Sequence, residues 1–112
     1  MVTRKELATV AIHSLKDCLY LQQRAKLLAG ALGFDTVSAG EIALAASELA
    51  NNLISNQTIN GHIVFTRIES EDRLGLELEA IDSGPGIADI KLAMTDGFSS
   101  HGSSGGGLGA VV

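Results

Sequence analysis

The chain has 112 residues, of which 46% are hydrophobic, and its formal net charge at pH 7 is −5. This length and composition predict one folded domain, residues 1–112. The eight basic residues are scattered and tryptophan is absent, so neither a phosphate-binding basic face nor an aromatic platform is predicted, and we expect no nucleic-acid partner. The apolar stretches are shorter than the roughly 18 residues of a membrane span, so no membrane partner is expected. A single cysteine and a charged N-terminus without a secretory leader predict a cytoplasmic protein.

The first half of the chain predicts a short strand and two helices. Residues 7–12 form an apolar run that fits a strand, and the apolar spacing over residues 15–32 predicts a helix that Gly33 ends. Asp35 and Ser38 are both suitable N-caps for the second helix, and residues 38–41 fit a capping box. That helix is expected to continue to about Asn56. Its predicted buried stripe consists of Ile42, Ala46, Leu49 and Leu53.

The second half begins with two alternating segments that predict an antiparallel hairpin, at residues 62–68 and 74–81. Its even-numbered residues from 74 to 80 should face the helices, while Glu77 and Glu79 should face water. Residues 87–94 are predicted to be helical. Glycine and serine concentrated over residues 97–109 indicate a functional loop or lid.

Glu48 and Asn52 are candidate functional residues on the second helix. Their spacing puts them about 40° apart around the helix axis, at one edge of the buried stripe. A carboxylate there can accept a proton from a hydroxyl, and an amide oxygen one turn away can ligate Mg²⁺. The alternative is an ordinary solvated edge of an amphipathic helix.

Asp82 and two glycine-rich segments supply further candidates. A carboxylate at the end of a strand can accept a hydrogen bond from an exocyclic amine such as that of adenine, while Gly84 and Gly86 allow close approach of the backbone to a ligand. The run Gly105-Gly106-Gly107-Leu108-Gly109 has free amides that can cradle phosphate oxygens. A hairpin-exit turn and a flexible tail are the respective alternatives. The sequence contains no Gly-Lys-Ser/Thr motif, and the formal dinucleotide fingerprint at residues 105–110 follows serines instead of a strand, so neither a P-loop nor a Rossmann site is predicted.

In this order, Ser47-Glu48-Leu49-Ala50-Asn51-Asn52, Asp82-Ser83-Gly84-Pro85-Gly86-Ile87 and the glycine run resemble the N box and glycine boxes of the GHKL ATPase superfamily. With residues 32–37 and 96–99, they resemble the anti-sigma-factor serine kinases and, in particular, the RsbT-type switch kinase of the bacterial stressosome. The resemblance implies a two-layer α/β sandwich of the Bergerat ATP-binding type, with a mixed, mostly antiparallel sheet backed by helices. The family has a helix and a strand after its last glycine box, whereas this sequence ends at Val112, three residues after Gly109. We therefore expect those two elements to be lacking here.

The resemblance also implies the role of each candidate residue. Glu48 would be the general base for a substrate hydroxyl, Asn52 the Mg²⁺ ligand, and Asp82 the acceptor for the adenine amine. The remaining ATP-binding positions would be Gly84, Gly86 and Ile87 at the adenine pocket and Gly105, Gly106, Gly107, Leu108 and Gly109 near the phosphates. The ATP lid would span about residues 89–106.

The partners implied by the resemblance are a STAS-domain protein, which the kinase phosphorylates on serine or threonine, and a PPM-type phosphatase, which it activates in stress signalling. One alternative is an anti-sigma factor that binds a sigma factor and phosphorylates its STAS antagonist. Another is a non-catalytic module that binds such partners without turnover.

Overall fold

The computed structural model describes residues 2–57, 59–82 and 89–94, which form six elements. These are, in chain order, β1 (Thr3–Ala11), α1 (Leu15–Ala31), α2 (Thr36–Ser55), β2 (His62–Glu69), β3 (Leu74–Ile81) and β4 (Asp89–Met94). The strands form a sheet in the order β1-β2-β3-β4, and each neighbouring pair is antiparallel. We expected a mixed, mostly antiparallel sheet, and every pair among the described strands is antiparallel. The architecture is a two-layer α/β sandwich consistent with the GHKL type.

The core lies between the two helices and one face of the sheet. Alternate residues of the central strands point into it, so Ile63 and Phe65 of β2 and Leu76 and Leu78 of β3 are fully buried. Both helices lie on this side. The predicted hairpin is confirmed, since β2 pairs with β3 from His62–Ile81 to Glu69–Leu74.

Helix α1 begins at the predicted residue, and Gly33 ends it as expected. The carboxylate of Asp17 accepts hydrogen bonds from the backbone N–H groups of His13, at 2.7 Å, and Ser14, at 3.1 Å. These groups would otherwise lack intrahelical partners at the first turn. At the other end Gly33 has φ +100°, a conformation that residues with a Cβ avoid.

Helix α2 begins one turn before the predicted capping box at residues 38–41. The Asp35 carboxylate accepts a hydrogen bond from the Ser38 N–H at 2.8 Å, which makes Asp35 the N-cap. Ser38 therefore lies inside the helix, and the prediction that it could cap the helix was wrong. The predicted buried stripe is confirmed.

The helix predicted over residues 87–94 was also wrong, because Asp89–Met94 is strand β4 and pairs with β3. These six residues are too few to distinguish the period of a helix from that of a strand, and Ile90, Leu92 and Met94 also alternate as in a strand. The sheet decides between the two, since β4 hydrogen-bonds the otherwise open edge of β3 and buries Ala93 opposite Leu76. A Cβ on Gly75 would lie 2.6 Å from the Met94 Sδ and 3.1 Å from the Ala93 carbonyl oxygen, so a larger residue there would displace the Met94 side chain and press on β4.

The helix-free face of the sheet is less solvated than the alternation predicted. Glu77 is only 8% exposed, and it forms an ion pair with Arg4 of β1, across the intervening strand β2. This carboxylate raises the pKa of the Arg4 guanidinium, first through their hydrogen bond and then through their charges. The pair therefore ties the edge strand β1 to the centre of the sheet.

Candidate functional site

The rotation of α2 decides where Glu48 and Asn52 lie. The helix buries Leu49, Ala50 and Leu53, while Glu48 and Asn52 are exposed. Two side chains one position earlier mark the flank that meets α1: Ser47 is buried, and the Oδ1 of Asn51 is 3.7 Å from the Sγ of Cys18. Each step along a helix turns by about 100°, so Glu48 and Asn52 lie on the flank of α2 turned away from α1.

Asp82 lies at the same end of the sheet as the C-terminal half of α2. It directly follows Ile81, the last residue of β3, which pairs with His62, the first residue of β2. Because a short connection leads from Ser55 at the end of α2 to His62, the end of that helix and the end of β3 are at one end of the molecule. Asp82 is half-buried and engaged in an interaction of its own. The topology thus brings Asn52 and Asp82 to the same end of the sheet.

The sheet also orders these residues from side to side. Helix α1 packs against α2 and β1, whereas α2 packs against β2, β3 and β4. The flank of α2 turned away from α1 therefore faces the β3–β4 side of the sheet, which is the side where Asp82 emerges. In the alternation along β3, Ala80 faces the helices and Ile81 faces away, so Asp82 is the next helix-side position.

The other candidates lie outside the described residues. These are Gly84, Gly86 and Ile87, and the whole run Gly105, Gly106, Gly107, Leu108 and Gly109. The predicted lid at residues 89–106 needs a correction at its start, because its first six residues are strand β4. Its other residues, 95–106, are outside the described part of the chain.

The chemical groups at this end are a carboxylate and an amide one helical turn apart, and a second carboxylate at a strand end. Among the described residues, no three histidine, cysteine, aspartate or glutamate side chains are grouped to hold a metal ion. Glu48 and Asn52 are instead exposed side chains whose oxygen atoms can coordinate a cation. Such an arrangement suits a cation that is coordinated partly by the protein and partly by a bound ligand.

A depression of about 240 Å³ lies elsewhere and does not include these residues. It is lined by Thr9, Ala11, His13, Asn60, Gly61 and His62. His62 and Ala11 are a cross-strand pair of β1 and β2, so the depression is on the β1 side of the sheet. We therefore do not assign it to the site at Asn52 and Asp82.

Two contacts outside the site had no signal in the sequence. Asn51 and Cys18 are 33 positions apart, and Arg4 and Glu77 are 73 positions apart. Burial raises the pKa of the Cys18 thiol, and the nearby Asp17 charge adds to the effect. Cys18 is therefore a neutral packing group between the two helices.

The comparison with known proteins decides the family. Over 102 residues the chain is 39% identical to serine/threonine-protein kinase RsbT of Bacillus subtilis (strain 168), and the match covers 91% of this chain and 76% of the relative. The chain belongs to the RsbT family. No protein-family model matches it. In this RsbT-family chain, the helices of the described residues include none that is long and apolar enough to cross a membrane.

Proposed function

We propose that this chain is an ATP-dependent protein-serine/threonine kinase and a cytoplasmic partner switch in bacterial stress signalling. The observation that carries the proposal is the 39% identity to the kinase RsbT over 91% of the chain. The arrangement of Glu48, Asn52 and Asp82 at one end of the sandwich agrees with it. In this proposal residues 1–112 form one kinase domain, whose lid begins after β4.

Each residue at this end has a chemical task in the proposed reaction. Glu48 accepts the proton of the substrate hydroxyl, and the oxygen of that hydroxyl attacks the γ-phosphorus of ATP. The bond between the γ-phosphorus and the oxygen that bridges it to the β-phosphate then breaks, and ADP leaves. Asp82 accepts a hydrogen bond from the adenine amine and so positions the nucleotide. The exposure of Glu48 lets a protein substrate reach it.

The remaining groups complete the nucleotide site. Asn52 offers an amide oxygen to Mg²⁺, which prefers oxygen ligands and, when bound, neutralises phosphate charge. We assign Gly84, Gly86 and Ile87 to the adenine pocket. The phosphates are assigned to Gly105, Gly106, Gly107, Leu108 and Gly109.

The proposed protein substrate is the serine or threonine of a STAS-domain protein, and the proposed target of activation is a PPM-type phosphatase. The family membership supports both. These assignments make the chain a transferase whose output is a change of partner.

The first test is calorimetry of Mg²⁺-ATP with the unmodified chain, with Asp82→Asn and with Asn52→Ala. Loss of one good hydrogen bond or ligand should weaken binding by about tenfold or more. Asn51→Ala is the matched control, because that neighbouring asparagine contacts Cys18 on the α1 flank. Equal affinities for Asn51→Ala and Asn52→Ala would contradict the assigned metal ligand.

The second test separates catalysis from binding. Glu48→Gln should keep its affinity for ATP and lose about a hundredfold or more of the phosphorylation rate of a STAS-domain protein. Glu41→Gln, an exposed glutamate two turns earlier on the same flank of α2, is the control and should keep the rate. A folded chain that binds no ATP would leave a non-catalytic binding module as its function.

A further inference from the structure

Helix α1 has large apolar side chains that its packing does not use. Its buried positions are Cys18, Leu21, Ala25 and Ala29. Four other large side chains are more than half exposed: Leu15 at 69%, Leu19 at 63%, Tyr20 at 53% and Leu27 at 69%. A helix packed on one side normally has a polar outer face, and single exposed apolar residues need no explanation. Four such side chains on one helix form a patch.

The patch follows the length of the helix, with one polar residue within it. Leu15, Leu19 and Leu27 lie in one row of i+4 positions, which the exposed Gln23 completes. This row is about 18 Å long at the rise of an α-helix. Tyr20 lies in the adjacent row, one position after Leu19. We call these four apolar side chains the α1 ridge.

The charged side chains of α1 are mostly basic, although the protein is acidic. Three of the eight basic residues, Lys16, Arg24 and Lys26, are in α1. The one acidic residue of the helix, Asp17, accepts hydrogen bonds from the backbone at the helix N-terminus. Lys16 and Lys26 are exposed and form no ion pair with the described residues. The ridge therefore combines an apolar centre with a basic rim.

We propose that the α1 ridge is the docking surface for the STAS-domain substrate, whose complementary surface has an apolar centre and a rim of aspartate and glutamate. This proposal rests on the proposed function. Apolar contact supplies most of the affinity at such a surface, and opposite charges supply orientation and speed of association. An anionic membrane fits less well, because the net charge of −5 opposes approach to it and because the other side of α1 is packed against α2.

The site and the ridge are on different helices, so docking and chemistry can be tested separately. Glu48 and Asn52 lie on the flank of α2 that is turned away from α1. A change on the outer surface of α1 should therefore leave ATP binding unchanged.

The test compares two double variants with the same change of charge. Leu19→Glu/Leu27→Glu places two acidic groups in the ridge. The control, Val2→Glu/Val37→Glu, replaces two apolar residues that are 60% and 71% exposed, outside α1. Binding to a purified STAS-domain protein is measured by calorimetry, and the KM and kcat of its phosphorylation are measured with the same samples.

The ridge variant should bind the STAS-domain protein about tenfold or more weakly and raise its KM by a similar factor. The control variant should bind the STAS-domain protein as tightly as the unmodified chain. Both variants should keep the kcat and the affinity for Mg²⁺-ATP. Lys16→Ala/Lys26→Ala should weaken binding at low salt and reduce its dependence on salt.

Three results would overturn the docking surface. The first is that the ridge variant binds the STAS-domain protein as tightly as the control does, and the second is that the unmodified chain does not bind it. The third is that the unmodified chain binds vesicles containing phosphatidylserine and that the ridge variant does not. Calorimetry of Mg²⁺-ATP with the unmodified chain decides the proposed function independently, since it involves no protein partner.

Discussion

Replacing Leu49 by alanine tests the rotation of α2, on which the position of Glu48 and Asn52 depends. Leu49 is 1% exposed and points into the core, whereas Leu44 on the same helix is 60% exposed. The same substitution at Leu44 is therefore a matched control, with the same atoms removed and the same gain in helix propensity. The difference between the two variants measures burial alone.

The magnitude follows from the atoms removed. Leucine to alanine deletes about three methylene-sized groups, each worth about 0.8 kcal/mol when buried, and the cavity left behind adds to this. Leu49→Ala should therefore lower the free energy of unfolding by about 3–4 kcal/mol. Leu44→Ala should change it by about 1 kcal/mol or less, because most of that side chain already contacts water.

The assay is urea unfolding followed by circular dichroism. With a slope of about 1–3 kcal/mol per molar urea, Leu49→Ala should lower the midpoint by about 1–3 M relative to Leu44→Ala, with the slope unchanged. A loss below about 1 kcal/mol for Leu49→Ala, or equal losses for the two variants, would refute the rotation of α2. The placement of Glu48 and Asn52 on the flank away from α1 would then fail with it.

Three further outcomes follow from contacts outside the site. Arg4→Met should destabilise the protein by about 1–2 kcal/mol, because it leaves the buried Glu77 unpaired. In a double-mutant cycle, adding Glu77→Gln should restore part of this loss, and additive losses would contradict the ion pair. The hydrogen bond from the Ser38 backbone N–H holds the pKa of Asp35 below its usual value. The stability that Asp35→Ala removes should therefore be present above about pH 4 and be lost at lower pH, as measured by the difference in urea midpoint between the two proteins. A difference that stays constant down to a pH of about 2 would argue against the cap. Cys18, buried and with a raised pKa, should react with a thiol reagent far more slowly in the native protein than in urea, and equal rates would place it at the surface.

The elements that the sequence predicted well are those whose pattern fits one period. The stripe from Ile42 to Leu53 recurs at helical spacing, and the hairpin alternates strictly, so both could be predicted from local sequence. Residues 89–94 fit both periods, and only pairing with β3 distinguishes a strand from a helix there. Such pairing is a tertiary interaction, which local sequence does not contain.

Helix α1 shows a second limit, since its existence was predictable but its orientation was not. Its sequence has apolar residues on every side of the helix, so the apolar spacing over residues 15–32 gave no reason to prefer either Leu15 and Leu19 or Cys18 and Leu21 as the inward face. The structure buries the smaller set, with two alanines, because α1 packs closely against α2. The larger apolar residues were left outside and form the α1 ridge.

The candidate site combines both kinds of information. Glu48 and Asn52 are neighbours because of their spacing on one helix, which the sequence alone contains. Their relation to Asp82 depends on the pairing of His62 with Ile81 and on the connection from α2 into β2, which only the fold provides. Likewise, the burial of Glu77 could not be predicted, because its partner Arg4 is two strands away.

Helix packing also separates the proposed catalytic residues from the proposed docking surface. The flank of α2 that carries Glu48 and Asn52 faces away from α1, and the α1 ridge faces away from α2, so the buried contact between the two helices lies between them. That contact includes Cys18 and Asn51, and it fixes the angle between the two surfaces. In the proposed reaction this contact would keep the ridge and Glu48 at a constant separation, and the target hydroxyl of a docked substrate must extend past α1 to reach Glu48, because phosphoryl transfer depends on positioning.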